Sequence, residues 1–480
     1  MSSSSADQKQ GLDTIAVNNF REYLQIPSVH PNINYGLAIT QFYNYFKYWQ
    51  RKVLSVKMSK RNKFICGIAL QYNKKQRITS EEENASTSTP STIKNFNQLE
   101  KLIQEDDCVK FLENQAKSLG LPIKIISVTP GKPIVILTWV GKEPELPTIL
   151  LNSHMDVVPV FEESWTHKPF SAHIDEKGNI YARGTQDMKS VGIQYLEAIR
   201  RLKQQGVTLR RTVHISFVPD EEIGGVEGMR KFVHTNEFRD LNIAFALDEG
   251  MASPTDEYAL FYAERCIWHL HIHCPGNPGH GSILLDNTAG EKVTYILNKF
   301  FEFRRQEKQK LIDNPTLTLG DVTTVNLTQI RGGVQSNVVP PELVIVIDCR
   351  IPVTVDIKKW EETVNRWCRD AGQGVYIEYE QKQPQIAATK IDSTNPFWVA
   401  FKEASDELGL KLKPQVFPGG TDSRYVRSIG LPAIGFSPIN NTPVLLHDHN
   451  EYLGTQTFLR GIEIFSKIIT YVANVEERSG

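Results

Sequence analysis

The sequence predicts an α/β fold in which helices flank a mostly parallel central sheet. Three short apolar runs are typical of buried strands: Thr148–Leu151, Val213–Val218 and Ile243–Leu247. Between the first two runs, Ser190–Gln204 carries apolar residues at helical spacing. Strands that alternate with helices along a chain favour a parallel sheet covered by helices on its faces.

A smaller α+β domain is predicted within residues 266–387, where the pattern changes. Apolar and polar residues alternate at its start, a turn rich in glycine and proline follows, and a charged helix around Glu291–Leu311 precedes two further strands. Two domains are usual for a chain of 480 residues. We therefore predict a larger domain formed by residues 1–265 and 388–480, with the smaller domain inserted between these two parts.

Residues 37–106 do not fit either domain. The segment is rich in lysine, asparagine and glutamine and then continues as EEENASTSTPST, a composition typical of disorder. An amphipathic helix, Cys108–Leu119, follows immediately, with Gly120 as its stop signal. We expect this atypical insertion to be disordered or peripheral. The fold can tolerate it as a surface excursion, because the entropy of closing a loop grows slowly with its length.

Composition argues against several classes of partner. The 54 Lys and Arg residues balance 55 Asp and Glu residues, which leaves no broad charge for nucleic acid or an anionic membrane. The N-terminal MSSSSADQKQ is too polar for a secretory signal, and no run has the roughly 18 apolar residues of a membrane helix. Six scattered cysteines without a CxxC pair indicate reduced thiols. We expect a cytoplasmic protein that binds neither nucleic acid nor membrane.

Acidic and histidine residues stand at the ends of apolar runs or at turns in five motifs. These residues are His154 and Asp156 in SHMDVVP, Asp187 in ARGTQDMK, Glu221 and Glu222 in VPDEEIGG, Glu249 in ALDEG, and His447 in LLHDHNE. Taken singly, each is most simply a hydrogen-bonded residue or a helix cap. Together they predict a metal site, because imidazole and carboxylate without thiolate suit zinc or a similar ion, and their charge suffices for two.

The same five motifs resemble the metal-site motifs of the M20 metallopeptidase family, and ILLNSHMDVVPVFEESWTHKPF resembles its aminoacylase members. The likeness covers about residues 12–36 and 108–470. It implies that the larger domain is a catalytic domain like that of zinc-dependent exopeptidases. It also implies that the inserted domain serves dimerisation and acts as a lid.

The resemblance implies two zinc ions per subunit. His154 and Glu249 would bind one ion, Glu222 and His447 would bind the other, and Asp187 would bridge both. The peptide bond after the bridging aspartate is cis in family members, which here is the bond between Asp187 and Met188.

The resemblance also implies catalytic roles. Asp156 would orient the imidazole of His154, and Glu221 would act as the general base. His449 is an alternative to His447 as a metal ligand, and the spacing within the family motif favours His447.

Three residues of the inserted domain complete the implied site. His280, in GNPGHGS, would reach the active site of a partner subunit and donate to the oxyanion. Arg350 and Asn337 would bind the free carboxylate of the substrate, since a guanidinium group can make two parallel hydrogen bonds to it. Without the resemblance, His280 and Asn337 are most simply turn residues and Arg350 a surface ion pair. The loop of residues 419–424 resembles a family loop near the substrate.

The resemblance implies a dinuclear zinc amidohydrolase, an aminoacylase, that converts N-acyl-L-amino acids into a carboxylate and a free L-amino acid. Its partners would be this small molecule and a second copy of the chain in a homodimer. One alternative is an M20 dipeptidase or carboxypeptidase with the same site. Another is a non-catalytic product, because residues 37–106 interrupt the family pattern.

Overall fold

The computed structural model describes residues 2–30 and 107–476, with side chains from residue 7 onward. The predicted insertion, residues 37–106, lies outside the described residues. The helices are α1 (Ser2–Leu24), α2 (residues 107–119), α3 (Lys189–Gln204), α4 (Met229–Phe232), α5 (Asn236–Arg239), α6 (Ala289–Asp313), α7 (Ile357–Ala371), α8 (Pro396–Glu407), α9 (Ser423–Ser428) and α10 (Thr455–Val472). Short 3-10 turns occupy Glu162–Ser164, Glu221–Ile223 and Leu319–Asp321.

The strands form a large sheet and three smaller ones. They are β1 (Ile123–Thr129), β2 (Lys132–Trp139), β3 (Thr148–His154), β4 (His173–Ile174), β5 (Asn179–Tyr181), β6 (Val213–Val218), β7 (Ile243–Asp248), β8 (Glu257–Glu264), β9 (Cys266–Pro275), β10 (Gly279–His280), β11 (Thr324–Gly332), β12 (Val338–Val339), β13 (Glu342–Ile351), β14 (Tyr376–Lys382), β15 (Lys411–Phe417), β16 (Ala433–Phe436) and β17 (Tyr452–Gly454).

The large sheet has the order β1-β2-β6-β3-β7-β16-β8-β15. Its centre is parallel, because β6, β3, β7 and β16 pair in parallel with their neighbours. β2 joins one side of this centre and β8 the other, both in antiparallel pairing. The predicted α/β class with a mostly parallel central sheet is confirmed.

Helices cover both faces of this sheet, so its central strands β3 and β6 are buried along their whole length. Leu151 of β3 packs in the core formed with α1, α2, α3, α8 and α10. Its neighbour Leu150 packs on the opposite face, with residues of α4 and α5. The predicted helix Ser190–Gln204 is confirmed as α3. The predicted Cys108–Leu119 helix is confirmed as α2, and Gly120 follows it with φ +61°.

A separate four-stranded antiparallel sheet has the order β11-β13-β9-β14. Helices α6 and α7 pack on it and share its own apolar core, which includes Leu270, Ile347, Trp360 and Trp367. The chain enters this sheet after β8 and returns to the large sheet at β15. We call it the inserted region; the domain boundaries themselves stay a prediction.

Within residues 2–30 and 107–476, none of the helices has the combination of length and apolar character that a bilayer crossing requires.

Candidate metal centre

The ends of three neighbouring parallel strands bring the predicted ligands to one edge of the large sheet. His154 is the last residue of β3 and lies opposite Val218, the last residue of β6. Glu221 and Glu222 follow β6 by three and four positions, and Glu249 directly follows β7. Since parallel strands end at the same edge, these side chains approach one another there.

Two imidazoles and three carboxylates meet at this edge. The Nε2 atom of His154 lies 3.0 Å from Oδ1 of Asp187 and 3.5 Å from Oε2 of Glu249. The Nε2 atom of His447 lies 3.3 Å from Oδ2 of Asp187 and 3.1 Å from Oε2 of Glu222. Asp187 therefore offers one oxygen to each imidazole, as a bridging ligand between two ions would.

The donor set fits divalent cations. Ligand atoms about 2.0–2.1 Å from a tetrahedral zinc ion stand roughly 3.3–3.4 Å apart, close to the distances between His154, His447 and their carboxylate neighbours. The ligand atoms of His154, Asp187 and Glu222 lie within 4.8 Å of one another, as do those of His154, Glu221 and Glu249. The buried Oε1 atom of Glu222 finds no hydrogen-bond partner among the described residues, which suits an ion ligand.

Electrostatics at this edge favour added positive charge. Burial raises the pKa of Glu249 well above its ordinary value, and the charge of Asp187 acts in the same direction. Burial and the charge of Asp187 also raise the pKa of Glu222 to about 7. Hydrogen bonds with Asp187 and Glu222 raise the pKa of His447 to about 10. The site therefore holds more negative charge than its own groups can neutralise, so protons or cations must compensate it.

Asp156 arranges its neighbours through both its backbone and its side chain. Its backbone carbonyl accepts a hydrogen bond from Nδ1 of His154 at 2.8 Å, which leaves Nε2 of that imidazole free to bind a metal. Its carboxylate accepts hydrogen bonds from the backbone N–H groups of Glu221 at 3.2 Å and Glu222 at 3.0 Å. The carboxylate lies 3.5 Å from Nδ1 of His154, so the backbone makes the closer orienting contact.

His30 is a site residue that the sequence analysis missed. Its Nε2 atom lies 2.9 Å from Oδ2 of Asp156, and the residue is buried. Val29 beside it forms a parallel bridge with Val157, which fixes this segment next to the SHMDVVP motif. The signal available in the sequence was weak: a single histidine after the short segment IPSV, without a second metal-type residue beside it.

The loop around His447 answers the question of which histidine faces the carboxylates. His447 has the left-handed φ of +61°, which turns its side chain toward Asp187 and Glu222. The ring of His449 instead packs edge-on against Phe161, with centroids 6.2 Å apart. The placement agrees with the preference for His447; its role as a ligand stays a prediction. The peptide bond between Asp187 and Met188 is cis, as predicted.

The three residues predicted from the inserted region lie on other sheets. His280 is exposed on β10, which pairs with β12, and its Nδ1 atom lies 2.8 Å from Oγ of Ser282. Asn337 is adjacent and exposed, and its carbonyl accepts a hydrogen bond from the N–H of Gly281. Arg350 lies on β13, where its guanidinium group forms a fork with Asp348 of the same strand. The structure thus brings His280 and Asn337 together at the two-stranded β10–β12 sheet, whereas the metal-type side chains meet at the edge of the large sheet.

Asp422, in the loop of residues 419–424, approaches the carboxylate edge from the C-terminal part of the chain. It is fully buried, and neither of its carboxylate oxygens has a hydrogen-bond partner in the described part of the chain. Its charge contributes to the raised pKa of Glu221, after burial and the charge of Glu249. The family resemblance placed this loop near the substrate and gave Asp422 no role.

Comparisons with known proteins agree with this geometry. The profile of peptidase family M20/M25/M40 matches residues 150–471. Aminoacylase-1A of Rattus norvegicus is 50% identical over 372 residues, which cover 78% of this chain and 91% of the relative. Aminoacylase-1 of Homo sapiens is 48% identical over 76% of this chain and 90% of its own.

A solved structure shows the same fold at low identity. The YXEP protein of Bacillus subtilis, described as a dinuclear metal-binding peptidase of the M20 family, matches with a TM-score of 0.55 and 19% identity. The match covers 76% of this chain and 92% of that protein. The family profile matches more than half of the chain, and the two aminoacylases share about half of their residues with it over some nine tenths of their own length. The chain therefore belongs to the M20/M25/M40 peptidase family.

Proposed function

We propose that this chain is an aminoacylase, a two-zinc hydrolase that cleaves N-acyl-L-amino acids into a carboxylate and a free L-amino acid. The observation that carries the proposal is the meeting of His154, His447, Asp187, Glu222 and Glu249 at one sheet edge. The half identity to aminoacylases, over nearly the whole of their length, supports this substrate class over peptides.

Two ions would be held with Asp187 between them, His154 and Glu249 on one side and His447 and Glu222 on the other. Zinc fits because the set contains two imidazoles, three carboxylates and no thiolate. When bound, two such ions activate water and polarise the acyl carbonyl of the substrate. The chain's own part is to hold the ligands in place, chiefly through the contacts of Asp156 with His154 and Glu222.

Glu221 is the proposed general base. Burial raises its pKa well above the ordinary value, and the charge of Glu249 raises it further. A carboxylate in this environment readily takes a proton from the attacking water and can deliver it to the leaving amine. Its backbone N–H donates to Oδ1 of Asp156, which fixes the start of the turn that carries it.

The substrate carboxylate is proposed to bind Arg350 and Asn337, and His280 is proposed to serve the active site of a second copy. His280 is exposed on the two-stranded sheet of β10 and β12, and its neighbours Ile283 and Leu284 are 58% and 103% exposed. Val334, before β12, is 89% exposed. Exposed apolar residues grouped beside a catalytic-type histidine support a homodimer interface in this part of the inserted region.

A cytoplasmic location is proposed on the state of the cysteines. The five cysteines of the described residues are free and buried: Cys108, Cys266, Cys274, Cys349 and Cys368. Free buried thiols are typical of proteins that fold in a reducing compartment.

The decisive test is Glu221→Gln, which preserves shape and removes the proton acceptor. We expect hydrolysis of N-acetylmethionine to fall roughly 10²–10⁴-fold while the purified protein still binds two zinc ions per chain. Elemental analysis of the same samples measures the metal. Glu227→Gln is the matched control, because Glu227 lies six positions on and pairs at the surface with Lys231. Full activity in Glu221→Gln would refute the assigned base.

The substrate class is tested separately on the wild-type chain. We expect N-acetylated amino acids to be cleaved with a kcat/KM well above that for dipeptides. Faster cleavage of dipeptides would favour the peptidase alternative. Zinc binding without cleavage of either class would favour the alternative in which residues 37–106 make the chain non-catalytic.

A further inference from the structure

Two segments that carry proposed metal ligands also hold each other through residues that are not ligands. One segment is the turn of residues 182–187, which ends at Asp187. The other is the loop of residues 443–452, which contains His447. The residues that connect them are Glu451 and Gln186, and both are buried.

The carboxylate of Glu451 organises the turn before Asp187. It accepts hydrogen bonds from four consecutive residues, 183–186. The Nη1 atom of Arg183 donates to Oε2 at 2.6 Å, and the N–H of Gly184 donates to the same oxygen at 3.2 Å. Oγ1 of Thr185 donates to Oε1 at 3.3 Å, and the N–H of Gln186 donates to Oε1 at 2.7 Å. One buried side chain of the loop thus sets the path of the turn.

The side chain of Gln186 makes the reverse connection. Its Nε2 atom donates to the carbonyl of Pro443 at 3.1 Å and to the carbonyl of Tyr452 at 2.9 Å. Its Oε1 atom accepts the N–H of Leu445 at 3.0 Å. The three bonds hold both ends of the loop and a point two residues before His447.

We infer that Gln186 and Glu451 form a reciprocal clamp that fixes the separation of Asp187 and His447, and so determines the affinity of the metal position these two residues share with Glu222. Both clamp residues are positioning residues, since their own polar atoms are used within the clamp. His447 needs the support of this clamp because its side chain is 55% exposed, so packing alone does not hold it.

The inference rests on the proposed two-metal function and concerns its more exposed half. The position formed by His154, Asp187 and Glu249 lies among buried side chains and receives its support from Asp156. The position formed by His447, Asp187 and Glu222 depends on the loop. Loss of the clamp should therefore weaken one metal position far more than the other.

The test measures zinc binding to wild type and to Gln186→Met across a series of buffered free zinc concentrations. Methionine keeps the length of glutamine and removes the three hydrogen bonds. We expect two zinc ions per wild-type chain, and in the variant a second binding step weakened roughly 10–100-fold with the first step within a few fold of wild type. Gln186→Glu keeps the acceptor for Leu445 but loses the two donors, and it should shift the same step in the same direction.

Gln194→Met is the matched control. Gln194 is also fully buried, and its Nε2 atom donates to the carbonyl of Phe458, joining α3 to α10 away from the loop. It should lower the melting temperature without separating the two zinc affinities. The clamp is wrong if Gln186→Met and Gln186→Glu leave both zinc affinities unchanged, or if they weaken both binding steps equally. A wild type that binds two zinc ions and cleaves no N-acyl amino acid contradicts the proposed function alone.

Discussion

The carboxyl edge of the large sheet and the inserted region use their polar residues in opposite ways. At the sheet edge, Asp187 and Glu249 are buried, and each faces an imidazole. In the inserted region, His280 on the two-stranded β10–β12 sheet and Asn337 directly before β12 are exposed. One chain assembles the proposed metal ligands by itself. His280 stands exposed instead, as its proposed role in the active site of a second copy requires.

This difference follows from what each group must do. Buried carboxylates cost free energy unless cations or hydrogen bonds compensate their charge, so a metal site must be assembled within the fold. A residue that serves a second subunit must instead remain accessible until that subunit binds. The exposure of Leu284 beside His280 agrees with a surface that a second subunit would cover.

The largest effect is expected for His280→Ala, which tests whether His280 acts in the active site of a second subunit. Loss of an oxyanion donor should lower kcat roughly 10²–10³-fold with the zinc content unchanged. If His280 serves the partner, refolding this variant with an equal amount of Glu221→Gln should restore about a quarter of wild-type activity. Half of the dimers are then mixed, and each has one intact site.

His271→Ala is the control for this experiment. His271 lies on β9 in the same region and pairs with Glu380 at the surface, so its removal should leave kcat unchanged. No recovery of activity in the mixture would place His280 in the site of its own chain, or outside any site. Either result would remove the contrast between the two regions.

Much of the sheet edge could be predicted because periodicity and strand ends are local signals. β3, β6 and β7 each contain a largely apolar run, and the polar residues at their ends, such as His154 and Glu249, stand out in the sequence. The inserted region was also predictable as a change from continuous apolar runs to alternation. Here the sequence pattern reflects which faces of a strand are buried.

The remaining contacts could not be predicted because they join distant segments without a local signature. His30 contacts Asp156 across 126 positions, and Glu451 contacts Gln186 across 265. Such pairs depend on tertiary packing, and any buried glutamate or histidine can have a structural role. Asp348 and Arg350 lie two apart on β13 and therefore share a face, so an ion pair of Arg350 could be expected, but the sequence did not identify Asp348 as its partner or the fork as its geometry.

A smaller effect is expected when Arg350, which forms this fork, is replaced, and it tests whether Arg350 binds the substrate carboxylate. Arg350→Lys keeps the charge but loses the two parallel hydrogen bonds that a carboxylate can receive. We expect KM for N-acetylmethionine to rise about tenfold with kcat nearly unchanged, because the lost contact binds substrate and transition state alike. Steady-state kinetics on the purified variant measures both constants.

Arg331→Lys provides the comparison. Arg331 lies on β11 and forms a similar contact with Gln329, two residues before it. It has no proposed substrate role, so both constants should stay at their wild-type values. Equal behaviour of the two variants would mean that Arg350 is an ion pair of the sheet and that the substrate carboxylate binds elsewhere.

The smallest expected effect tests whether the inserted region can lose stability without disturbing the metal centre. Thr288 caps α6: its Oγ1 accepts the N–H of Glu291, and Oε2 of Glu291 accepts the N–H of Thr288 in return. Thr288→Ala should lower the free energy of unfolding of this region by about 1 kcal/mol.

Thr294→Ala is the control. At this exposed interior position of α6, the change should leave the free energy of unfolding unchanged or raise it slightly, because alanine has the higher helix propensity. Denaturation with urea measures both changes, and zinc content measured alongside should stay at two per chain. Loss of zinc in Thr288→Ala would show that the metal centre depends on the stability of the inserted region, which would contradict the independence of the two regions.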